Sequence, residues 1–90
     1  MELKRVVVTG IGAITPIGNT VSEYWDGLIN GRSGALAITR FDASKFKTQF
    51  ACEVKNFDPL LFFDRKELRK YDRFTQFALV ATKECLLDAN

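Results

Sequence analysis

Apolar residues run unbroken through Val6-Val7-Val8 before Thr9 and Gly10. Unbroken rather than alternating hydrophobicity predicts a strand covered on both faces, as in a parallel sheet. Gly10, Gly12, Pro16 and Gly18 then mark a loop in which glycines permit close backbone approach. Thr20-Val21-Ser22-Glu23 fits a capping box, with the Thr20 hydroxyl and the Glu23 carboxylate satisfying free amides reciprocally. Val21, Tyr24, Trp25, Leu28 and Ile29 follow at i, i+3, i+4, i+7 and i+8, one helical stripe expected to pack as core. Asn30-Gly31 is the stop signal.

The stretch from Arg32 to Phe63 is less regular. Gln49 to Val54 predicts a short strand, and Ser33-Gly34 and Asp58-Pro59 predict turns. Phe41, Phe46, Phe50, Phe57, Phe62 and Phe63 are spread through it without a period, which suggests a segment pinned onto a larger body. Asp64 with Glu67 makes a second capping-box-like start for a helix running toward Asn90, itself a candidate left-handed cap. From Phe74 to Ala81 the only polar side chains are Thr75 and Gln76, so that turn of helix is expected to be covered all round. One doubly covered strand and one fully covered helix need layers that this chain does not itself supply. The pattern therefore reads as the first part of a larger α/β protein.

Composition narrows the chemistry. At 90 residues, 47% hydrophobic and 27% charged, the chain fits one small globular unit rather than a disordered or low-complexity segment. A net charge of +2 is too mild for a dedicated nucleic-acid binder. No apolar run approaches the roughly 20 residues that cross a bilayer, and Met1 to Arg5 lacks the apolar core of a secretory signal, so the expectation is a cytoplasmic protein. The chain contains no histidine, which excludes a Ser-His-Asp triad, a Cys-His pair or a His-ligated metal built from these residues alone. Cys52 and Cys85, the only cysteines, are flanked by apolar residues and are expected to be reduced, buried small hydrophobes.

Two motifs invite a functional reading. Gly10-Ile11-Gly12 after a strand suggests a dinucleotide fingerprint, but Thr15 stands where a third small residue is wanted and the helix begins late. A tight turn at the sheet exit is the better reading, and no Gly-Lys-Ser/Thr of a P-loop occurs. The second is the basic run Arg65-Lys66-Glu67-Leu68-Arg69-Lys70-Tyr71-Asp72-Arg73. In a continuous helix Lys66, Arg69, Lys70 and Arg73 share one face, either a solvated face partly neutralised by Glu67 and Asp72 or a docking site for an acidic partner.

Val6 through Asn19, read with Tyr24-Trp25 to Leu28, Gly31 and Ser33-Gly34, Phe41-Asp42, and Arg65-Lys66-Glu67 to Gln76, resembles the opening of the β-ketoacyl-acyl-carrier-protein synthases. Within that family it is most like the synthase II branch of fatty-acid elongation. The resemblance implies that residues 1–90 are the N-terminal, incomplete part of a thiolase-like α-β-α-β-α layered domain that dimerises. It implies decarboxylative Claisen condensation of an acyl thioester with malonyl-carrier protein, through a cysteine nucleophile and two histidines, without metal or nucleotide cofactor. Neither Cys52 nor Cys85 matches the nucleophile position, so the chain by itself is expected to be inactive. The family meets its acidic carrier protein through Lys and Arg beside the pocket mouth, and Lys66, Arg69 and Lys70 match part of that patch. No family position supports Arg73. A polyketide ketosynthase or its chain-length partner, and a non-catalytic module binding an acidic protein, stand as alternatives. Nucleic acid and membrane are not expected partners.

Overall fold

The computed structural model describes residues 2–90; Met1, part of the leader reading, lies outside the described residues. Helix α1 spans Val21–Ile29, strand β1 Ala35–Ala37, strand β2 Phe50–Cys52, a 3-10 turn Pro59–Leu61, helix α2 Arg65–Leu68 and helix α3 Arg73–Ala89. The strands pair antiparallel, with Ala35 opposite Cys52, Leu36 opposite Ala51 and Ala37 opposite Phe50. Helices with a two-stranded antiparallel sheet make this a small α/β unit. Among the described residues no helix is long and apolar enough to cross a membrane.

The predicted strand at Val6 to Thr9 does not form. Val6 and Val8 are 88% and 80% exposed, and the segment has no ladder partner. A strand is defined by its neighbour's amides and carbonyls, and the described residues offer it none. The helix predicted from the stripe does form, with Asn30 as its C-cap and Gly31 at φ +65°, the left-handed region where glycine carries no Cβ penalty. The capping box is displaced by one residue. Thr20 Oγ1 accepts from Glu23 N–H at 3.1 Å, but the Glu23 carboxylate accepts from Asn19 N–H at 3.0 Å.

The side chains of that stripe are not core. Trp25 is 63% exposed, Leu28 and Ile29 are also exposed, and the buried residue of α1 is Gly27, whose absent Cβ leaves room for Ile17. Likewise α3 is covered on one side only: Gln76 and Val80 are buried, four residues apart, whereas Phe74 is 73% exposed. Cys52 is exposed and Cys85 half-buried, so the buried reading fails for the first. Among the described apolar residues only Ala43 and Val80 are buried. The Cα radius of gyration, 16.7 Å, exceeds the roughly 12 Å of a compact chain this long. The corrections to α1 and α3 have one cause: an apolar stripe predicts where burial is favourable, and the partner surface must come from elsewhere.

The middle segment is pinned only toward its end, since Phe41, Phe46 and Phe50 remain 55–64% exposed. Phe57 stacks on Phe62 with ring centroids 5.9 Å apart and meets Phe77 of α3 edge-on at 5.0 Å, and Phe63 packs on Tyr71. Asp58 caps the 3-10 turn through Leu60 N–H, with Pro59 in its first turn. Asn90 adopts φ 67° and donates its N–H to Leu86 O, the left-handed cap anticipated at that position.

Candidate functional site

The glycine loop lies along α3 rather than around a ligand. A Cβ on Gly12 would stand 1.9 Å from Ala81 O, and one on Gly10 would stand 2.4 Å from Cys85 O. These glycines are needed because two backbones touch. The loop is then fastened by an acidic pair four residues apart on α3. Asp88 Oδ2 accepts from Ile11 N–H at 3.1 Å, and Glu84 accepts from Ala13 N–H at 2.9 Å and from Val21 N–H at 3.0 Å. The Cys85 thiol donates to Gly10 O at 3.3 Å.

Val21 opens α1, so the Glu84 carboxylate sits where a phosphate would sit in a dinucleotide fold, at free amides and the positive end of the helix dipole. A bound carboxylate repels a second anion there, which disposes of the nucleotide reading. Sequence reasoning missed this role. The available signal was Glu84 and Asp88 at i, i+4 on a helix otherwise rich in apolar residues.

A groove of about 620 Å³ is bounded by Thr15, Asn19, Lys55, Asn56, Phe57 and Phe62. Lys55 Nζ donates to Pro16 O, Gly34 O and Glu53 O at 3.0, 2.7 and 2.9 Å, while Lys55 O accepts from Asn19 Nδ2 at 2.7 Å. All three ammonium protons are committed, so this lysine ties the loop to the sheet. Glu53 is equally engaged: its carboxylate accepts from the Thr39 hydroxyl at 2.7 Å and from the Thr39 and Arg40 amides. The Thr39 hydroxyl hydrogen bond, foremost, holds the Glu53 carboxyl below its ordinary range. Asp42 is held low by the Ser44 amide, which it accepts at 3.0 Å.

The basic run is broken where the sequence reading made it continuous. Lys66 lies in α2, Arg69 caps the end of α2, and Lys70 occupies the turn that follows. All three are exposed, and none forms an ion pair among the described residues. Asp72 ends the run by capping α3, accepting from the Thr75 amide at 3.3 Å and its hydroxyl at 2.7 Å. Such a side-chain acceptor competes with continued helix. The break separates Arg73 from the other three. Its guanidinium lies 5.2 Å from the Phe57 ring centre and 5.4 Å from that of Phe77. Burial, and then the charge of Arg40, lowers its pKa.

Among the described residues no three His, Cys, Asp or Glu side chains come together. With the site's geometry in hand, comparison with known proteins decides the family. The model of the β-ketoacyl synthase N-terminal domain matches residues 3–90. The chain belongs to the β-ketoacyl synthase family. As a member of it, the chain is 56% identical over 89 residues to the 3-oxoacyl-[acyl-carrier-protein] synthase 2 of Synechocystis sp., covering 99% of this chain and 21% of that protein. It is 51% identical to the enzyme of the same name from Coxiella burnetii, over 99% of this chain and 22% of the relative. The solved structure of the ishigamide ketosynthase/chain length factor superposes with a TM-score of 0.83 at 43% identity, covering 92% of this chain and 21% of that one. The β-ketoacyl synthase segment described here thus spans about a fifth of the length of these relatives.

Proposed function

We propose that the protein carrying this chain is an elongating 3-oxoacyl-[acyl-carrier-protein] synthase of fatty-acid synthesis. The observation that carries this reading is whole-segment identity of 51–56% to two relatives bearing that name. In the reaction, a cysteine thiolate outside residues 1–90 takes the acyl group and releases the carrier thiol. Malonyl-carrier protein loses carbon dioxide, and the resulting carbanion attacks the enzyme thioester and expels the thiolate. Two histidines, also outside this segment, stabilise the thioester oxygen. No metal or nucleotide takes part.

The contribution of this segment is to bind the carrier. Lys66, Arg69 and Lys70 meet the acidic surface of acyl carrier protein beside the pocket mouth, supported by their exposure and freedom from ion pairs among the described residues. Residues 1–90 form the N-terminal part of a five-layer α-β-α-β-α domain that dimerises in the cytoplasm. The exposed Val6 to Val8, Trp25 and Phe74 are consistent with such burial. Malonyl-carrier-dependent condensation by the intact protein, measured as carbon dioxide release with 3-oxoacyl product, is the test; decarboxylation or condensation lacking altogether overturns the assignment.

A second reading follows from the structural likeness to the ishigamide ketosynthase/chain length factor. A polyketide ketosynthase or its chain-length partner would share this segment. Glutamine instead of cysteine at the nucleophile position would favour the partner.

A further inference from the structure

A second cleft, of about 400 Å³, lies between β1 and the start of α3, walled by Thr39, Arg40, Glu53, Lys55, Asn56 and Arg73. Arg73 is held in place by the Phe57 and Phe77 rings, yet its Nε is buried without a hydrogen-bond partner, and it forms no ion pair among the described residues. Arg40 shares the wall, and its backbone N–H already reaches the Glu53 carboxylate. Lys55 contributes charge but no free proton, since three carbonyls occupy its ammonium. Glu53 is the one carboxylate in the wall, set against three cations.

We infer that this cleft binds a phosphate dianion, clamped between the Arg40 and Arg73 guanidiniums. The planar guanidinium fork matches a phosphate edge, and Arg73 arrives already oriented by its ring contacts, so little freedom is lost on binding. The surplus of two positive charges over Glu53 suits a dianion better than a singly charged carboxylate. The inference rests on residues other than Lys66, Arg69 and Lys70 and stands independently of carrier docking. Free inorganic phosphate and a phosphate monoester on a larger ligand share this chemistry.

Calorimetric titration of the intact protein with inorganic phosphate, glycerol 2-phosphate and acetate, at fixed ionic strength, tests it. Binding of phosphate or the monoester about tenfold tighter than acetate is expected, with the tighter of the two identifying the source. Arg73→Gln should abolish binding. Arg40→Gln should weaken it about tenfold while leaving the circular dichroism unchanged, because Arg40 is exposed and stacks on no ring. This variant keeps the test decisive if Arg73→Gln fails to fold. Acetate binding as tightly as phosphate, no phosphate binding, or wild-type affinity in Arg40→Gln overturns the inference.

Discussion

Glu84 accepts the backbone N–H of Val21 at 3.0 Å across 63 residues of sequence, so a side chain of the last helix caps the first. The other oxygen of the same carboxylate takes the Ala13 amide. Both bonds are charge-assisted and half-buried, each worth about 1.5–3 kcal/mol. Because both amides are only half-buried and regain water once the carboxylate is gone, Glu84→Ala should lower the stability of the intact protein by less than the sum of the two, about 1–3 kcal/mol, read from the urea midpoint. Lys83→Ala, its exposed neighbour, should stay within about 0.5 kcal/mol.

Gly12→Ala should be worse tolerated than Gly31→Asn. The added methyl at position 12 would collide with the Ala81 carbonyl, a backbone atom that cannot rotate aside. Overpacking of this kind costs about 1–3 kcal/mol or more. Around Gly31 there is open space, and Asn tolerates its φ of +65°. Thermal midpoints of the two variants in the intact protein check the order; equal midpoints would mean that the loop does not press on α3.

The proposed docking residues are tested together. Lys66→Glu with Lys70→Glu should raise KM for carrier-bound substrate and leave turnover of a small carrier-free thioester unchanged, since the proposed chemistry lies outside this segment. Exposed pairs are individually weak, about 0–1 kcal/mol, so one neutralisation will be hard to see. The defect should sit in the association rate and shrink with salt, as exposed charges are screened beyond roughly 8–10 Å. Equal loss on both substrates would point to structural damage instead.

Acid should loosen the end of β1. The Glu53 carboxyl titrates below its ordinary value of 4.5, chiefly through the Thr39 hydroxyl, so the folded state holds it ionised. Its folded pKa is below the unfolded one, and the stabilisation is fully present above about pH 4.5 and is lost as pH falls through the depressed value. Glu53→Gln should flatten the fall of stability with pH in that acid range, followed by denaturant titration at a series of pH values. An unchanged slope would show that the carboxylate is not engaged in solution.

Local elements were legible in the sequence because their determinants are local. Thr20 and Asp64 announced helix starts, Asn30-Gly31 a stop, and Gln49 to Val54 the strand around Phe50–Cys52. The family was legible too, from the loop motif and the Arg-Lys-Glu segment. What failed depended on distant partners: Val6 to Thr9 has no ladder, and Trp25 has no cover. The continuous basic face fails for a smaller reason: by charge alone Asp72 is a neutraliser, whereas its side-chain oxygen restarts the helix at Arg73. Glu84 and Lys55 went unseen because their bonds go to backbone atoms, which no side-chain pattern reveals.

The fastening of the glycine loop also sets an order of events during synthesis on the ribosome. Ile11 meets Asp88 across 77 residues, and Ala13 meets Glu84 across 71. At about 5–20 residues per second, roughly 4–15 s pass between translation of the loop and translation of the side chains that hold it. During that interval the Ile11 and Ala13 amides lack these acceptors, and Val6, Val7 and Val8, ahead of the loop in the chain, stay exposed even after it is fastened. The acidic pair on α3 thus acts as a late latch, and slowing translation just before codon 84 would lengthen the time for which the loop stays unfastened.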